Sequence, residues 1–259
     1  MDESETPGRP APHGVIGLLV PELANPVFPP LPRSWRRGRH RLGIPPCCAR
    51  RAGPASERRN TRGCCWAGVS REWCSSVRIE GTPRPPATRH LLDLGHQRIG
   101  FVSGPPQALP ARLLQIGWMA ALEEAGHPPD LRLIAHGPFG ADGGALAMSR
   151  LLDTAQPTGV ICASDLMAMG AIREATRRGR TVPTDLSVIG FNDIAFAAYW
   201  SPPLTTLAQP IPAMAAAAID ELVAGLVPQP RAGHQPASRI FRAELVVRES
   251  TTAPGARPG

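Results

Sequence analysis

The chain has 259 residues with 28 arginines, no lysine and 21 acids, so its formal net charge is +7. That length provides one or two domains with enough material to bury a core, and no apolar run of about 18 residues is present to span a membrane. The basic balance, which by itself would suggest nucleic acid, is local: residues 33–85 hold 13 arginines against three acids (Glu57, Glu72, Glu80), and the rest of the chain is mildly acidic.

Met1–Pro12 (MDESETPGRPAP) is acidic and proline-rich, with no apolar core, so no secretory signal is expected. A chain that is not exported stays in the cytoplasm, where thiols remain reduced. Residues 1–13 are expected to form a disordered tail.

The window 33–85 is foreign to the rest. It holds five of the six cysteines (Cys47, Cys48, Cys64, Cys65, Cys74) and three of the five tryptophans, and its apolar residues are scattered singly. No helical or strand periodicity is sustained there. Three readings compete. Adjacent cysteines cannot easily share one tetrahedral zinc ion, and no C-x2-C or H-x3-5-H spacing occurs in the window. An arginine-rich arm that folds on phosphates would rarely be dense in cysteine and tryptophan. The third reading is favoured: GC-rich DNA translated out of frame yields this mixture of Arg, Pro, Cys, Trp and Gly. Residues 33–85 are accordingly expected to be disordered, because scattered apolar side chains cannot offset the backbone entropy of ordering them.

From Pro86 onward, helix and strand signals alternate. Ala87–Gly95 reads as a helix end closed by Gly95, and Arg98–Ser103 as a short buried strand. Ala111–Ala125 is an amphipathic helix with Leu114, Trp118, Ala121 and Leu122 on one face, ended by Gly126. Leu131–Ala135 is strand-like. Asp142 caps a helix through Leu152, and Thr158–Ala163 is another buried strand. Asp165 stands at an N-cap position before the helix Leu166–Arg178, which Gly179 ends. Leu186–Phe191 is a strand, Pro210 opens the helix Ile211–Leu226, and Ser238–Arg248 returns to strand character.

Alternation of this kind gives a parallel sheet covered on both faces, and such sheets bind ligands beyond the carboxyl ends of their strands. The residues at those ends are Ser103-Gly104-Pro105, Ser164-Asp165 and Asn192-Asp193, three polar turns able to converge on a small polar ligand. Each also has a plain structural reading, Asp165 as a helix cap and Asn192-Asp193 as a strand-to-helix turn, and the two roles can coexist.

No G-x-S-x-G, H-E-x-x-H, G-x-G-x-x-G or P-loop pattern occurs, and no nucleophile or acid–base pair stands out. His90 and His96 have no cysteine pair to complete a zinc site, and Cys162 reads as a small core hydrophobe. No enzymatic activity, cofactor or metal is expected.

Five stretches resemble the lactose-repressor (LacI/GalR) family of bacterial transcriptional regulators: VIGLLVPELANPVF (15–28), ATRHLLDLGHQRIGFVSGP (87–105), GVICASDLMAMGAIREATRRGRTVPTDLSVIGFNDI (159–194), SPPLTTLAQP (201–210) and LVVRESTTAP (245–254). The resemblance implies an α/β fold of two periplasmic-binding-protein-like lobes with parallel sheets, closing on a small effector, sugar or nucleoside-like. It also implies a homodimer that reads operator DNA through an N-terminal helix-turn-helix. Carried over by position, the effector contacts are Phe28, Ser164, Asp165, Asn192 and Gln209, beside Ser103 and Asp193 from the strand-end spacing. The family commonly has Asp where this chain has Asn192, and often Arg where this chain has Leu114; Arg112 is the candidate to reach in instead. An amide still donates to and accepts from a hydroxyl, without charge assistance.

The expected organisation is therefore a tail (1–13), a remnant of the N-terminal lobe (14–32), the aberrant segment (33–85), a complete C-terminal effector lobe (86–207), a crossover with an N-lobe helix (208–228), and return strands with a tail (229–259). The N-terminal lobe is expected to be largely missing or disordered, and the DNA-reading headpiece to be absent. The expected function is the effector-binding core of a LacI-type regulator, truncated at the DNA end and damaged within one lobe. The alternatives are a transport-linked sugar-binding protein and a non-functional gene remnant.

Overall fold

The computed structural model describes residues 16–20, 46–50, 77–78, 86–226 and 239–255. Its centre is a six-stranded sheet in the order β10-β8-β7-β6-β4-β5. These strands are β4 (Ile99–Ser103), β5 (Ile134–His136), β6 (Gly159–Cys162), β7 (Ser187–Asn192), β8 (Thr205–Ala208) and β10 (Glu244–Val246). All neighbours pair in parallel except β10, which runs antiparallel to β8 along the edge. The expected parallel α/β sheet is present.

Side-chain alternation separates two cores. Val102, Val160, Cys162 and Val188 point to one face, and Ile99, Phe101, Ile161, Ile189 and Phe191 to the other. The first face is covered by α3 (Ala141–Thr154) and α4 (Asp165–Arg177), the second by α1 (Pro86–Asp93) and α2 (Leu109–Glu124). Trp118 of α2 is fully buried, with its ring centroid 5.9 Å from that of Phe101. Helices α3 and α4 approach at backbone distance, because Gly144 and Gly170 have no Cβ. A Cβ on Gly144 would stand 2.0 Å from the Met167 carbonyl oxygen. Gly95, Gly126 and Gly179 close their helices with φ of 91°, 77° and 76°, as their positions predict.

Several boundaries differ from the sequence reading. Leu131–Leu133 is a 3-10 turn, because Asp130 accepts the Arg132 N–H, and the strand starts only at Ile134. Gly140 occupies the N-cap of α3, with Asp142 inside the first turn, where its charge suits the helix dipole. Ser164, not Asp165, caps α4. The stretch Ser238–Arg248 is two short strands, β9 (Arg239–Ile240) and β10, instead of one.

The window 33–85 also yields structure that periodicity did not offer. β1 (Ile16–Val20) pairs in parallel with β2 (Pro46–Arg50), and β3 (Val77–Arg78) pairs in parallel with β9. A ladder needs only backbone donors and acceptors in register, so a strand can form where side chains show no alternation. Helix α5 (Ile211–Leu226) lies against β3. The remainder of 33–85, and with it the expectation of disorder there, lies outside the described residues.

Candidate effector site

The carboxyl ends of β5, β4, β6, β7 and β8 fall along one edge of the sheet, the place where such sheets bind ligands. There the structure joins two of the candidates. Gln209 Nε2, just past β8, donates to Asn192 Oδ1 at the end of β7 over 2.5 Å. The two strands are direct neighbours, and the register sets Asn192 opposite Ala208, one residue before Gln209. Both side chains are half-buried amides with donors and acceptors to spare.

The remaining candidates separate by environment. Asp165 is fully buried, and both its oxygens are engaged: Oδ2 accepts the Ile194 N–H at 2.8 Å and Oδ1 the Thr206 hydroxyl at 2.5 Å. Burial pushes its carboxyl above the ordinary aspartate range, against those two hydrogen bonds. It brackets α4 to the ends of β7 and β8. Ser164 Oγ accepts the Met167 N–H at 3.2 Å as an N-cap. Asp193 Oδ1 accepts from Arg248 Nη2 at 2.7 Å. Ser103 is 1% exposed, and among the described residues its hydroxyl has no hydrogen-bond partner. Arg112 is exposed on α2, while Leu114 lies against both cores. Phe28 lies outside the described residues.

Sequence reasoning missed three groups on this edge. Phe139, in the turn after β5, is 39% exposed and lies over Gly104; a Cβ on that glycine would stand 2.5 Å from the ring. His136 Nδ1 is 3.1 Å from the Gly104 carbonyl oxygen and ties the ends of β5 and β4 together. An aromatic inside G-P-F-G, in a turn following a strand, is the signal that could have found Phe139. Arg248 was missed because it is 55 positions from the aspartate it holds.

The family model described as a periplasmic binding protein-like domain matches residues 88–251. An HTH-type transcriptional regulator from the aml 5′ region of Streptomyces limosus is 36% identical over 283 residues, covering 92% of this chain and 79% of that protein. The chain belongs to the LacI/GalR family of transcriptional regulators. The Escherichia coli K12 repressor CytR is 40% identical over 169 residues, covering 64% of this chain and 48% of that protein. Among solved structures, a LacI-family regulator from Mycobacterium smegmatis superposes with a TM-score of 0.78 at 25% identity, covering 93% of this chain and all of that one. A complex of the regulator CelR with cellobiose gives a TM-score of 0.76 at 26% identity, over 91% of this chain and 84% of that one. The LacI/GalR effector-binding core and its periplasmic-binding-protein-like fold thus stand as read from the motifs. None of the described helices is long and apolar enough to cross a membrane.

Proposed function

We propose that this LacI/GalR core senses an uncharged polyhydroxylated effector, a sugar or a nucleoside, held at the carboxyl edge of the sheet by Asn192 and Gln209. The observation that carries the reading is the Asn192–Gln209 hydrogen bond between adjacent strand ends, which gathers amide donors and acceptors suited to hydroxyls. The partly exposed Phe139 ring adds apolar aromatic surface at the same edge, the complement of a pyranose or a base. Phe28, Ser103, Ser164, Asp193 and Arg112 are secondary contacts in this proposal, and Asp165 acts by bracing. CelR was solved with cellobiose and an Enterococcus faecium relative with ribose, so these two sugars are the first probes. Calorimetry with each, on the full chain and on Asn192→Ala, tests the site. Saturable binding that the substitution weakens supports it, and equal binding by both proteins rejects it.

The regulator acts in the cytoplasm as a homodimer, without enzymatic activity of its own. Phe196, Tyr199 and Trp200, exposed by 64%, 88% and 38%, form an aromatic patch near the end of β7 suited to a second copy. Operator DNA is a partner only through a helix-turn-helix. The composition of segment 33–85 supports a damaged N-terminal lobe. The S. limosus alignment, at 283 positions, is longer than this 259-residue chain, so gaps open in it. Resequencing the locus tests this: an intact frame without a nearby insertion or deletion rejects it. A transport-linked binding protein is the second reading, favoured by the periplasmic-type domain. A leader peptide encoded upstream would support it, and an in-frame helix-turn-helix there would exclude it.

A further inference from the structure

The backbone that presents Asn192 is strained. Asn192 and Asp193 are consecutive non-glycine residues with φ of 119° and 52°. Such a turn persists only where its surroundings over-determine it. Two groups do this. Asp165 Oδ2 accepts the Ile194 N–H, which anchors the residue following the turn. Arg248 holds the turn itself, with Nη2 donating to Asp193 Oδ1 and Nη1 to the Leu204 carbonyl, both at 2.7 Å. The backbone N–H of Arg248 donates to Thr205 Oγ1 at 2.9 Å, which fixes the arginine to the start of β8. The guanidinium is therefore tied at one end to the residue just before β8 and at the other to the turn, and Gln209 leaves that same β8.

We infer that Arg248 is a positioning residue for the effector site, fixing through Asp193 the turn in which Asn192 meets Gln209. The inference rests on the reading of Asn192 and Gln209 as effector contacts. It also gives Asp193 a role in the frame beside its place at the effector edge, because its Oδ1 is engaged by the guanidinium. Neither charge is well exposed, the side chains of Arg248 and Asp193 being 19% and 28% accessible, so the pair is less screened than one on the open surface. Arg248 follows β10, the antiparallel edge strand, so the last described segment of the chain shapes the sheet edge formed by the ends of β7 and β8.

The test is a proton–nitrogen correlation spectrum of the full chain, following the Gln209 side-chain NH2 pair, which is assigned by its loss in Gln209→Glu. Arg248→Met and the milder Asp193→Asn are expected to move this pair toward the position of free glutamine. Arg248→Lys is expected to return it part of the way, because an ammonium still reaches one carboxylate oxygen. The backbone signals of α3 and α4 stay in place, which separates a local release of the turn from unfolding. Cellobiose and ribose, titrated separately, are expected to bind about tenfold more weakly to Asp193→Asn, about 1.4 kcal/mol. Substitutions that lower Tm but leave the Gln209 pair unmoved would reduce the ion pair to a structural one and overturn the inference. The underlying reading fails differently: Asn192→Ala and Gln209→Ala then leave sugar binding unchanged, or neither sugar binds the unaltered chain. The amide signals still decide the positioning role in both cases.

Discussion

His96 Nε2 donates to the carbonyl oxygen of Thr252 at 2.9 Å and thereby fastens the end of the chain to the amino edge of the sheet. The same ring nitrogen lies 3.0 Å from Ser187 Oγ, and Nδ1 lies 3.0 Å from Thr158 Oγ1. In the neutral ring Nε2–H donates and Nδ1 accepts. Burial holds its pKa below the ordinary histidine value, opposed by the Thr252 carbonyl and helped by nearby His90.

Folding thus favours neutral His96, and its contribution is complete above the unfolded pKa of about 6.5. It is lost as pH falls from there toward the lower folded value, where the cation would turn a second donor onto Thr158. Tm measured from pH 7.5 down to 5 is expected to decline, and less steeply in His96→Gln. Equal declines in the two proteins would remove His96 as the cause.

Gly170 of α4 faces the carbonyl of Ala141 so closely that an added Cβ would stand 1.7 Å from its oxygen. Both partners are backbone, so neither can turn aside. Gly170→Ala is expected to destabilise by about 1–3 kcal/mol or more despite its better helix propensity. Urea unfolding gives the value; an unchanged midpoint would show that α3 and α4 slide apart freely.

Asp165→Ala leaves the Ile194 N–H and the Thr206 hydroxyl without their acceptor beneath Gly190. Unsatisfied buried groups cost about 1–3 kcal/mol each, so a loss of at least 2 kcal/mol or so is expected in urea unfolding. The aspartate itself is already disfavoured by burial, which makes the residue a brace held at a cost.

Ser103→Ala is expected to lower stability by no more than about 0.5 kcal/mol, because among the described residues its buried hydroxyl has no partner to lose. A clear stabilisation in thermal melts fits the same argument. A loss of 2 kcal/mol or so would reveal a partner for this hydroxyl.

Phe139→Ala removes a half-open ring from the effector edge and little from the core. Sugar binding is expected to weaken by roughly 0.5–1.5 kcal/mol, with Tm nearly constant. Calorimetry with cellobiose or ribose measures it, and undiminished affinity would exclude the ring from the site.

The order of strands and helices after Pro86 was written in the sequence, because buried parallel strands are apolar runs and helices close on Gly95, Gly126 and Gly179. The strand-end polar turns were legible for the same reason: polar residues interrupt those runs where the chain leaves the sheet. What those turns do was decided only in three dimensions. Ser164 and Asp165 are adjacent, yet one caps a helix and the other braces two strands, since a cap depends on backbone φ and ψ that residue type alone does not set. Asn192 meets Gln209, and Asp193 meets Arg248, because β7, β8 and β10 lie side by side in the sheet. Pairing between strands is a long-range relation, and a linear pattern carries none of its distances.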